Sequence, residues 1–210
     1  HQFFIFADPT KIGGNPFTAT SIYAMIHELE QKFGVWFAMG GTGALVKALG
    51  ELFMDIGGEV FTEAEVSEIV IDENTGRAKG VKIKSGEIIE ADAVVANADV
   101  ARTYLDLIPS QFRKKYTDAK VKKMTYSMSL FVIYFGTDKK YENMAHHEII
   151  LGNRYKPLLD EIFVDKTLAD DFSLYLHRPT ATDASLAPEG CDCWYVLSPV
   201  PNLEGKIDWK

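Results

Sequence analysis

Cysteine is nearly absent: the 210 residues hold two, Cys191 and Cys193, with one residue between them. That spacing makes an ordinary disulfide geometrically difficult, and no second pair completes a zinc-binding set. Both are read as reduced thiols of a cytoplasmic protein. Long apolar runs are missing too. The strictly apolar run Leu130–Phe135 in the middle of the chain is far short of the roughly 20 residues that cross a bilayer. Positive charge is in deficit, with 22 Lys and Arg against 30 Asp and Glu and a net charge of −8. No basic footprint exists for nucleic acid, which is excluded as a partner. A Gly-Lys-Ser/Thr triplet is absent, which excludes a P-loop. The opening "HQFFIFADP" has neither an initiating methionine nor the basic, apolar and small-residue order of a signal peptide. The chain is therefore expected to be a segment of a longer protein.

What is present begins with apolar content. Hydrophobic residues make up 47% of the chain, enough for a substantial core in one large domain or two small ones. The stretch "GGTGALVKALGELFMDIGGEV", Gly40 to Val60, resembles a dinucleotide loop, because glycines opening a helix aim free N–H groups at an anion. A third glycine is needed for close helix-to-strand packing, and Val46 stands at its position. The residues favour a packing helix entered through glycines, with direct phosphate binding as the alternative. Leu45, Val46, Leu49, Leu52, Phe53 and Ile56 form its apolar stripe, which must pack on something, and Gly57-Gly58 end it. Upstream, Ile22, Tyr23, Ile26, Leu29 and Phe33 recur at helical spacing between a Thr20 or Ser21 cap and a Gly34 stop. His27 on that helix is read as structural or solvated.

The pattern then changes. "EVSEIVID", "GVKIKS" and "EIIEADAVVAN" read as strands joined by turns at Asn74-Thr75-Gly76 and Ser85-Gly86, with Val81 and Ile83 alternating with lysines. Ala93 to Ala96 is wholly small and apolar, which predicts a strand buried on both faces in a parallel sheet. Asn97-Ala98-Asp99 then offers either a ligand site at a strand end or a plain cap of the next helix. From Thr103 to Met124 the chain reads as an amphipathic basic helix. "SMSLFVIYFGT", "HHEIILG", "FSLYLHRP" and "CWYVLSPV" follow as four strands, with a helix around Tyr155 to Asp170. Their aromatics would suit a long apolar cavity, and ordinary core packing explains them equally well. His146 and His147 are adjacent, so on a strand they would face opposite sides; no metal site is expected.

Several blocks together, "NPFTATSIYAMIHELEQKFGVWFAMGGTGALVKAL", "VVANADVARTY", "SLFVIYFG", "MAHHEIILG" and "DFSLYLHRPTATDASLAPEGC", resemble the bacterial-type phytoene desaturases. The resemblance runs in order over essentially the whole chain. It implies a flavoprotein that dehydrogenates a carotenoid precursor, a hydride going to FAD as a proton leaves the neighbouring carbon. The implied fold class is α/β plus α+β: part of an FAD/NAD(P)-binding-type domain with an inserted mixed-sheet substrate domain. Residues 1–34 would be a substrate-domain helical segment, 35–99 part of the discontinuous flavin domain, and 100–210 the substrate-binding domain. The resemblance sets the backbone near Val66 against the adenine ring and Ala96, Asn97 and Ala98 near the cofactor's dinucleotide half, while the pyrophosphate is held by a glycine loop this sequence lacks. FAD is therefore expected to bind this chain weakly or not at all. Tyr23, Trp36, Phe131 and Tyr134 are candidate lining for a long apolar polyene; the catalytic residues stay unknown. A lipid-borne substrate implies a cytoplasmic protein docked peripherally on a membrane. A carotenoid isomerase, a retinol saturase-like enzyme, or a module that only binds polyene or a partner remain alternatives.

Overall fold

The computed structural model describes residues 14–18 and 20–209, the Tyr23 side chain excepted. Two compact units emerge: one runs through Leu52 and resumes at Tyr126, and the other is Phe53–Thr125.

In the first unit Thr20 caps a 3-10 turn, Ser21–Tyr23, by accepting from the Ile22 N–H, and helix α1, Ala24–Phe33, follows. Gly34 closes it at φ +76°, donating its N–H to Glu30 O at 2.9 Å. Helix α2 spans Gly41–Asp55. The N–H of Gly58 reaches Phe53 O and that of Gly57 reaches Met54 O, the paired bonds of a Schellman stop, with Gly57 left-handed at φ +94°. Neither helix buries a residue. The apolar stripe of α2 is thus on the surface of this chain.

The second unit holds an antiparallel meander, β1 (Val66–Ile71), β2 (Ala78–Ile83) and β3 (Ile88–Glu90), in the order β1-β2-β3. Its first hairpin turns where Asp72 accepts from the Asn74 and Thr75 N–H groups. Gly80 has φ +152°, and a Cβ there would lie 2.2 Å from Ile89 O, so β3 can pair this closely only against glycine. Ala93–Ala96 is a correction to the sequence reading: it is not a strand, and Val95 is 93% exposed. A run of small apolar residues becomes a buried strand only when neighbours hydrogen-bond it on both sides, and among the described residues none does. The predicted basic helix after Thr103 is also corrected. Asp99 caps α3 (Val100–Arg102), a wide turn Thr103–Leu107 continues it, and Pro109 breaks the run before a 3-10 turn at Ser110–Phe112 and helix α4, Asp118–Val121. Ile69, Ala101 and Val121 are its buried apolar side chains.

The first unit's sheet comprises β4 (Ser129–Thr137), β5 (His147–Ile150), β6 (Leu174–His177) and β7 (Asp192–Val200), all antiparallel in the order β4-β7-β6-β5. Helix α5, Tyr155–Asp160, and the wide turn Glu161–Asp165 that prolongs it supply the core, in which Leu158 and Ile162 pack with Met128 and Ala169.

Candidate functional site

Antiparallel register decides which side chains share a face, because directly paired residues point the same way. Tyr134 pairs with Tyr195, Tyr195 with His177 and His177 with His147. One face of the sheet therefore carries a row of rings across all four strands. Centroid separations along it are 5.6 Å for Tyr134–Tyr195, 4.6 Å for Tyr195–His177 and 5.1 Å for His177–His147. Phe131, Ile133 and Phe135 pair with Ser198, Val196 and Trp194 and make the opposite face.

A cavity of about 650 Å³ opens at the edge of the sheet, lined by Phe37, Tyr134, Phe135, His177, Trp194 and Tyr195 among others. A second, of about 300 Å³, lies between Phe131, Leu168, Phe172, Leu174, Ser198, Val200 and Trp209. Tyr134 and Phe131, paired as lining candidates by the sequence, thus belong to different cavities. Trp36 lines neither: it is 88% exposed and its indole N–H donates to Phe33 O at 2.8 Å. Tyr23 lies outside the residues whose side chains are described. Val66 begins β1, paired with Ile83, while Ala96, Asn97 and Ala98 lie exposed in the irregular run before the Asp99 cap.

Among the polar groups of this unit, His177 lines the first cavity. Burial, with the neighbouring His146 and His147, pushes His177 down to about 4, and burial with the Arg178 charge lowers His146. Both rings are neutral at physiological pH. Burial and a hydrogen bond with Tyr195 raise Tyr175, which stays a phenol. The buried Asp192 accepts from Thr180 at 2.6 Å, the Tyr141 N–H at 2.7 Å and Arg178 at 3.2 Å. The expectation that His146 and His147 are held apart fails. His146 precedes β5, strand alternation does not govern it, and one ring nitrogen from each of His146, His147 and His177 lies within 4.8 Å of the others.

The glycine turn is answered by Asp183. The Gly40 N–H, immediately before α2, donates to the Asp183 carboxylate at 2.6 Å, and Ser185 donates to the same carboxylate through its hydroxyl and its N–H. An internal carboxylate thus already takes up the N–H of the glycine that leads into α2. Sequence reasoning missed both Asp183 and His177. An Asp two residues before a Ser signals a local turn, but nothing local says that its carboxylate reaches a glycine 143 residues away.

Residues 3–186 match the family model of the flavin containing amine oxidoreductases. This chain belongs to that family. It is 49% identical over 199 residues to a lycopene-forming phytoene desaturase of Pseudescherichia vulneris, covering 94% of this chain and 40% of that protein. A neurosporene-forming phytoene desaturase of Rhodobacter capsulatus is 44% identical over 207 residues, 96% of this chain and 39% of its own length. A crystal structure of an oxidoreductase from Methanosarcina mazei shares the fold, with a TM-score of 0.68 at 22% identity over 96% of this chain and 44% of that one. The chain spans about 40% of the length of the curated relatives it matches. The family implies a flavin, and the turn before α2 fits its pyrophosphate poorly, because the Gly40 N–H already donates to the Asp183 carboxylate.

Proposed function

We propose that this chain is the substrate-facing part of an FAD-dependent carotenoid desaturase that removes hydrogen from adjacent carbons of a phytoene-like polyene. What supports this reading is the aromatic-walled cavity of about 650 Å³ against the ring-bearing sheet, taken with 44–49% identity to phytoene desaturases. A long polyene offers no hydrogen-bonding groups, so its recognition falls to flat apolar surface and to exclusion of water. Phe37, Tyr134, Phe135, Trp194 and Tyr195 supply both. In this reading residues 100–210, with the helical segment 1–34, form the inserted substrate domain. Residues 35–99 belong to the flavin domain, whose pyrophosphate contacts lie in the part of the relatives' length that this chain does not span. Val66 and Ala96 to Ala98 then meet the cofactor through backbone alone.

The protein would work in the cytoplasm, docked on a membrane that holds its substrate. Among the described residues no helix is long and apolar enough to cross one. The exposed run Phe33, Val35, Trp36 and Met39 supports shallow docking, where an indole is favoured at the interface.

The test is product chromatography after incubating the complete protein with lipid-dispersed phytoene. Products with additional conjugated double bonds support the proposal. An isomerised substrate with no new double bond would favour an isomerase, and saturation of an added retinoid a saturase.

A further inference from the structure

Three histidines meet at one end of the ring-bearing face, from positions the fold brings together. His147 opens β5 and His177 closes β6, paired directly. His146 joins them because its carbonyl accepts the Arg178 N–H at 2.8 Å. Two of the rings are oriented by hydroxyls: His146 Nδ1 lies 2.5 Å from Thr182 Oγ1, and His147 Nδ1 lies 2.6 Å from Tyr175 OH. A hydroxyl that accepts the Nδ1 proton leaves Nε2 with its lone pair, the arrangement that prepares an imidazole for a metal.

The Nε2 atoms of His146 and His177 lie 2.8 Å apart. Two lone pairs cannot face each other at that distance without a proton or a cation between them. His177 Nδ1 is buried and has no hydrogen-bond partner, so the polar contact of that ring is concentrated on the Nε2 side. Ligand atoms from imidazole alone suit zinc, cobalt, nickel or copper and give no purchase to calcium or magnesium.

We infer that His146, His147 and His177 bind one divalent transition-metal ion through three imidazole nitrogens, leaving one coordination position open beside the cavity that His177 lines. Ligand nitrogens around a tetrahedral ion with bonds of about 2.1 Å lie about 3.4 Å apart. The rings of His147 and His177 are stacked at an interplanar angle of 8° and those of His146 and His177 at 27°, so binding requires the rings to tilt until their lone pairs converge, the His146–His177 pair opening by about half an ångström. The inference rests on the three imidazoles alone and does not depend on the polyene reading.

Cobalt titration of the complete, tag-free protein tests it. One equivalent of Co²⁺ should bind with the intense visible absorption of a four-coordinate ion, and zinc should displace it stoichiometrically. His177→Ala and His146→Ala should each abolish that spectrum, and Thr182→Val should weaken binding about 10-fold by freeing the His146 ring. His27→Ala should change nothing. If a histidine variant fails to fold, the wild-type spectrum and stoichiometry decide alone. A pale six-coordinate spectrum, no saturation at one equivalent, or full binding retained by the folded His177→Ala variant would overturn the inference.

Discussion

Asp192 concentrates the electrostatics of the first unit in one carboxylate. Its burial raises the pKa, but the hydrogen bonds from Thr180, the Tyr141 N–H and Arg178, with the Arg178 charge, outweigh it and hold the group below the usual carboxylate range. A depressed folded pKa means stability that is complete above the unfolded value near pH 3.9 and lost as pH falls through the folded one. Urea melts taken from neutral pH down to about pH 3 should show this loss, and Asp192→Asn should flatten it. Arg178→Met leaves the buried Asp192 charge uncompensated and should cost about 3–5 kcal/mol at neutral pH, read from the same melts. Asp183 acts at longer range: Asp183→Ala should lower the melting temperature by orphaning the Gly40 N–H, while leaving the flavin content of the complete protein unchanged. Loss of flavin in that variant with its melting curve intact would return the glycine turn to the cofactor.

Among elements, those built from neighbouring residues were the legible ones. The β1–β2 hairpin follows from alternation of Val81 and Ile83 with lysines and from the Asp72-centred turn, all within a few residues of each other. The stop of α2 follows from two glycines. Ala93–Ala96 was misread because pairing partners, not composition, make a buried strand. The run after Thr103 was misread because periodicity ignored Pro109. The candidate site was legible only in its ingredients: Tyr134 and Phe131 were found as aromatics, yet their assignment to opposite faces requires the β4–β7 register. Gly80 is the position where an element depends on one missing side chain. Gly80→Ala would drive a Cβ into the Ile89 carbonyl and should destabilise by about 1–3 kcal/mol, measured by chemical denaturation. On the surface, Trp36→Ser should weaken co-sedimentation with liposomes without shifting the melting temperature, since the ring is 88% exposed.

At the scale of the whole molecule the proposed reading has this chain supply aromatic surface and the remainder of the protein grip the cofactor's phosphates. The 210-residue chain purified alone should accordingly emerge from gel filtration without stoichiometric flavin; a one-to-one yellow complex would show that the phosphate site had been misplaced. The central claim is that the aromatic cavity lined by Tyr134 holds the polyene. Tyr134 tests it most directly, because its side chain is 77% exposed and its removal leaves no buried cavity to destabilise the fold. In the complete protein, Tyr134→Ala should cut the rate of desaturated product formed from lipid-dispersed phytoene by about 10-fold or more, the effect of losing about 1–3 kcal/mol of substrate contact, with an unchanged melting temperature. Wild-type turnover in the folded variant, or a loss of activity fully accounted for by a loss of folded protein, would contradict the claim.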